Sequence, residues 1–95
     1  MIRAWCYPSG LIEFGRRVPK GAVVIARGPE PELRAYIGVK SRRMTTSRGR
    51  RTPATYLLVP GLPEADSAVA AAAALTRWTR WIALHAPKGI RVLPR

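Results

Sequence analysis

A thiol and an imidazole in one chain could act as nucleophile and base, and this sequence has one of each, Cys6 and His85. Each has a plainer reading. Cys6 alternates with Ile2 and Ala4 in IRAWCY, which predicts a small packed residue. His85 falls near the end of a helical pattern, where partial positive charge is favoured. The five carboxylates are Glu13 between Ile12 and Phe14, Glu30 and Glu32 across Pro31, and Glu64 with Asp66. The last two pairs suit the positive starts of helices better than they suit acid–base chemistry. Metal sites need three or four clustered ligands, and that spacing is missing. No phosphate-cradling or dinucleotide glycine pattern is present; Gly10, Gly15, Gly21 and Gly28 read as turn punctuation. The expectation is a protein that is not an enzyme, with no catalytic residue, no metal and no cofactor.

Binding chemistry is far better supplied. Seventeen Lys and Arg face five acids, for a formal net charge of +12 over 95 residues. Fourteen of the seventeen are Arg, whose planar fork matches phosphate and carboxylate geometry. A small domain this basic attracts polyanions: DNA, RNA, an acidic protein face or an anionic membrane. The charge is densest in KSRRMTTSRGRR, residues 40–51, where six of twelve residues are basic and none is acidic. Lys40, Arg42, Arg43, Arg48, Arg50 and Arg51 are the first candidates for electrostatic contact. Arg77, Arg80 and Trp81 are the second, because Trp and Arg are enriched at interface hot spots. Trp78 and Ile82 fit the buried stripe, and for Trp81, at the stripe's edge, partly buried packing is the preferred assignment over a binding patch. Arg3 and Trp5 share an alternating face, a weak hint of a stacking platform for single strands.

The elements that position these residues follow from periodicity. IRAWCY and Leu11–Phe14 flank Tyr7-Pro8-Ser9-Gly10, a hairpin turn. Ala22–Ala26 is a continuous apolar run, which predicts a central strand covered on both faces. Gly28-Pro29-Glu30-Pro31-Glu32 starts a helix that turns Leu33 and Ile37 toward the sheet. Residues 41–54 have no apolar period and are expected to be a basic flexible loop, with a long hairpin arm as the alternative. Thr55–Val59 is a strand. A second helix is expected from about Pro63 to about His85, with Ala68, Ala71, Leu75, Trp78 and Ile82 on its apolar side. Ile90–Leu93 closes the chain as a short strand. The expected fold is α+β, a small two-layer sandwich of about five short strands with two helices packed on the sheet. It forms one domain over residues 1–95.

Cys6 is the only cysteine, so no internal disulfide can form, and a reducing cytoplasm is the expected setting. MIRAWCYPSG lacks an apolar signal core, and the longest apolar run, Ala68–Leu75, is too short for a membrane span. No membrane partner is expected.

Three segments carry a family likeness: CYPSGLIEFGRRVPKGAVVIARGPEPELRAYI, YLLVPGLPEADSAVAAAAALTRWTRWI and KGIRVLP. They resemble a group of small phage and prophage proteins labelled host nuclease inhibitors, a class of proteins that includes anti-CRISPR proteins. The matching turn positions are Ser9, Gly10, Gly15, Pro19, Gly21, Pro60, Gly61 and Pro63. The chain departs from the group at residues 40–51. The resemblance implies a phage-side inhibitor that binds a CRISPR–Cas effector complex or defence nuclease stoichiometrically; the expected setting is the bacterial host cytoplasm, and a monomer is favoured while the sequence leaves the oligomeric state open. Many such inhibitors are acidic DNA mimics, a route closed to a chain of charge +12. The alternative is a phage accessory protein that binds DNA or RNA directly through the basic loop.

Overall fold

The computed structural model describes residues 1–46 and 53–93. The first hairpin forms as the sequence requires. Strands β1 (Ile2–Cys6) and β2 (Leu11–Gly15) pair antiparallel, with Cys6 opposite Ile12 and Arg3 opposite Gly15. Gly10, at φ 91°, donates its N–H to the Tyr7 carbonyl at 2.8 Å and closes the turn. Strand β3 (Val23–Gly28) leads into helix α1 (Glu30–Lys40), where Pro31 lies in the first turn beside Glu30 and Glu32. Strands β4 (Arg42–Thr46) and β5 (Ala54–Leu58) follow, then helix α2 (Ala68–Leu84) and strand β6 (Arg91–Val92).

All six strands join one antiparallel sheet in the order β4-β5-β2-β1-β3-β6. Both helices pack on one face of it. Ile2, Ala4, Cys6 and Ile12 from the sheet share a core with Leu33 and Ile37 of α1 and Trp78 and Ile82 of α2. The helices also hold each other: the Tyr36 hydroxyl donates to the Ile82 carbonyl, and Trp78 Nε1 donates to the Lys40 carbonyl at 3.1 Å. The fold is α+β, as expected, with six strands in place of about five.

Three expectations are corrected. The sixth strand comes from the segment expected as a loop over residues 41–54: β4 pairs with β5 from Arg42 opposite Leu58 to Thr46 opposite Ala54. The segment is therefore hairpin arm at both ends. Pairing with β5 supplies the β4 hydrogen bonds, so β4 needs no apolar period of its own. Second, β3 is not central; β1 and β2 are, and β3 lies next to the edge strand β6. Its continuous apolar run has another cause. The β1–β3 register shifts so that Ala4 faces Ala26 and Trp5 faces Val24, leaving Ile25 as the extra residue of a bulge. Ile25 and Ala26 are thereby both fully buried although adjacent. Third, α2 begins at Ala68 rather than Pro63. The Ser67 hydroxyl accepts the Ala70 N–H at 3.1 Å and sets the helix start. Before it, Leu62 and Ala65 make separate turn bonds to Val59 and Leu62.

A candidate basic surface at the end of helix α1

The carboxyl end of α1 is a natural seat for cations, because the last carbonyls carry partial negative charge. Lys40 is its final residue. Its Nζ lies 4.4 Å from the Trp81 ring centroid and 6.0 Å from that of Tyr36. Trp81 is 46% exposed and meets the His85 ring edge-on at 5.9 Å. Its neighbour Trp78 is buried and fixes the α1 end through the Lys40 carbonyl. The two tryptophans therefore divide the alternatives read from sequence: Trp78 is core and Trp81 is surface.

Arg43 reaches the same helix end from the other side, since positions 38 and 40 of α1 do not share a face. A Cβ on Gly38, in the last turn of α1, would come within 3.1 Å of Arg43 Nη2, so the guanidinium lies against that turn. Arg77 precedes Trp81 by four residues on α2, which puts both on one side of the helix. Arg77 and Arg80 are exposed. Arg42 differs from its neighbour. It pairs with Glu64, and its Nε is buried without a partner among the described residues. Its charge is already engaged within the fold. Arg48, Arg50 and Arg51 lie outside the described residues. The fold thus joins Lys40 and Trp81 at one end of α1, with Arg77 on the Trp81 side of α2 and Arg43 on the far side of α1, and β4 starts directly after that end.

Cys6, Glu13 and Glu30 are each engaged within the fold. Cys6 is 2% exposed, and burial raises its thiol pKa from 9.0 to about 11. A nucleophilic cysteine needs the opposite shift. Its Sγ lies 3.2 Å from the Tyr7 carbonyl, while His85 stands exposed at the end of α2. Glu13 accepts from the Tyr7 hydroxyl at 2.7 Å and from Trp5 Nε1 at 3.4 Å. The Tyr7 phenol is pushed up, first by that hydrogen bond to Glu13. Glu30 pairs with Arg34 at 3.9 Å. Among the described residues, no group of three or more His, Cys, Asp or Glu could hold a metal. An apolar groove of about 570 Å³ runs between the first turn and the start of α2, lined by Pro8, Leu62, Ala68, Ala71 and Leu75 among others. It includes none of the basic candidates. Among the described residues, no helix is long and apolar enough to cross a membrane.

Trp5 is a further correction. It is 5% exposed, and a Cβ on Gly15 would come 2.7 Å from its ring, so the outer edge of the indole is packed against that glycine. It offers no free face for a base to stack on. Sequence reasoning also missed that Arg3, Arg27 and Arg91 belong together. They are far apart in the chain, and only the strand order β1-β3-β6 makes them neighbours.

Compared with family models, curated proteins and solved structures, the chain finds no match in any of the three. The likeness to small phage proteins rests on its quoted segments alone.

Proposed function

We propose that this protein is a non-enzymatic inhibitor of a bacterial defence system, a CRISPR–Cas effector complex or a defence nuclease. It acts in the host cytoplasm as a monomer, by stoichiometric binding. One observation carries the reading: the exposed Trp81 holds the Lys40 ammonium over its ring at the end of α1, where the basic segment 40–51 begins. An exposed tryptophan among arginines is the composition of an interface hot spot, and a solvated charged loop does not require one. The surrounding positive field would speed encounter with an acidic protein face or with the guide RNA of an effector.

The test is restriction of a phage by a host with an active type I CRISPR system, with and without this protein expressed. Plating is expected to recover with the wild type. It is expected to stay low with R43E/R48E/R50E/R51E, provided that variant keeps the wild-type circular dichroism spectrum. Full recovery by the folded variant would remove the hairpin from the interface. The alternative, direct grip of DNA or RNA through the basic loop, requires these same arginines but no defence protein as target. A gel shift with bare nucleic acid that R43E/R48E/R50E/R51E abolishes, alongside no recovery of plating by the wild type, would favour it.

A further inference from the structure

The helix-free face of the sheet carries a second concentration of charge. Arg3 is the register partner of Arg27, and Arg27 is the partner of Arg91. Residues directly opposite on antiparallel strands point to the same face, so three arginines stand side by side across β1, β3 and β6. Their chain neighbours Ile2, Ala4, Ala26 and Val92 are in the core under the helices, which places the arginines on the opposite side. Strands lie about 4.8 Å apart, so the row spans roughly 10 Å. Arg3 and Arg91 are exposed and Arg27 is half-buried. Beyond Arg3 the row meets Gly15, from which the chain continues into the exposed Arg16 and Arg17. Arg3 Nη1 donates to the Arg16 carbonyl at 2.9 Å and holds that turn beside the row.

Like charges directly opposite one another across strands are destabilising. No ion pair joins any of the three arginines to a carboxylate among the described residues. Glu13, on the same face, is held by Tyr7 and Trp5. An anion with repeated charges would relieve the repulsion along the whole row.

We propose that this arginine row binds the phosphate backbone of duplex nucleic acid, without reading base sequence. A single-strand site combines charge with aromatic platforms, and Trp5 on this face is buried against Gly15. A duplex keeps its bases stacked inside and presents phosphates, which guanidinium groups match in charge and geometry. This site shares no residue with the surface at the end of α1, and it stands or falls independently of the inhibitor reading.

Fluorescence anisotropy of a labelled 20-base-pair DNA duplex, measured against salt concentration, tests it. Each lost phosphate contact lowers the log–log salt slope by about 0.9 on duplex DNA. R27Q/R91Q is expected to reduce the slope by about 1.8. K20Q/R34Q, which removes the same charge from exposed positions outside both basic surfaces, is expected to leave it unchanged. R91Q alone, on an edge strand, is expected to cost about 0.9 of slope even if the double variant fails to fold. Equal slopes for the two double variants, an unchanged slope in R91Q, tighter binding to a single strand of equal length, or no binding by wild type at low salt would each overturn the proposal.

Discussion

At Cys6 the surroundings of one side chain decide its chemistry. Burial holds the thiol protonated up to about pH 11, against an ordinary value of 9.0. The unfolded chain loses that proton first, so above pH 9 the unfolded state binds fewer protons than the native one. Stability is therefore expected to fall as pH rises from 9 toward 11. Tyr7 and Tyr36 are also shifted upward and add to the same trend. C6A is expected to flatten the curve in urea melts across that range; an unchanged curve would mean that the thiol titrates freely. A thiol reagent at pH 8 is expected to label native Cys6 slowly and the urea-unfolded chain quickly. Trp81 presents the opposite case. Its contact with the Lys40 ammonium is exposed and is worth about 0.5–1 kcal/mol to the fold. W81A is thus expected to shift stability by no more than about 1 kcal/mol, while partner binding falls by at least about 2 kcal/mol, roughly thirtyfold. Calorimetry of the variant, free and titrated with its partner, separates the two effects.

Elements make demands that single residues cannot show. Strand β2 must end in a residue without a side chain because the Trp5 indole is packed against it. G15A is expected to displace that ring and lower stability by about 1–3 kcal/mol, the usual cost of overpacking. Loss of the Ser67 cap in S67A is expected to cost about 1 kcal/mol. Thermal unfolding of both variants checks these values. The hairpin at Tyr7–Gly10 and the sheet-facing Leu33 and Ile37 were legible in the sequence, since a turn motif and a helical period are local signals. The β1–β3 bulge was not, because AVVIA reads the same whether its burial comes from a central place or from an extra residue. Strand β4 was hidden for a related reason: a strand on a sheet edge, with exposed Arg43, Met44 and Thr45, has little apolar face to show. The early start read for α2 came from Pro63, Glu64 and Asp66, which resemble a first helical turn but precede the Ser67 cap.

On the scale of the whole molecule, one sheet sorts an excess of arginine onto separate surfaces. The end of α1 carries Lys40 with Trp81 on one side and Arg43 on the other, and the helix-free face carries Arg3, Arg27 and Arg91. The first grouping was partly legible, because residues 40–51 are basic in sequence and Trp81 adjoins Arg80. The second depends entirely on strand order. With a net charge of +12, binding to any polyanion is expected to weaken steeply with salt, so selectivity must come from the contacts that survive screening. Recognition of a protein target is therefore tested most directly by capture from a lysate containing an active type I CRISPR system, at physiological salt, before and after complete nuclease digestion. Effector subunits are expected to remain bound after digestion and to be lost in R43E/R48E/R50E/R51E. If every captured protein washes away once the nucleic acid is gone, the basic surface is a grip on polyanions and the inhibitor reading is wrong.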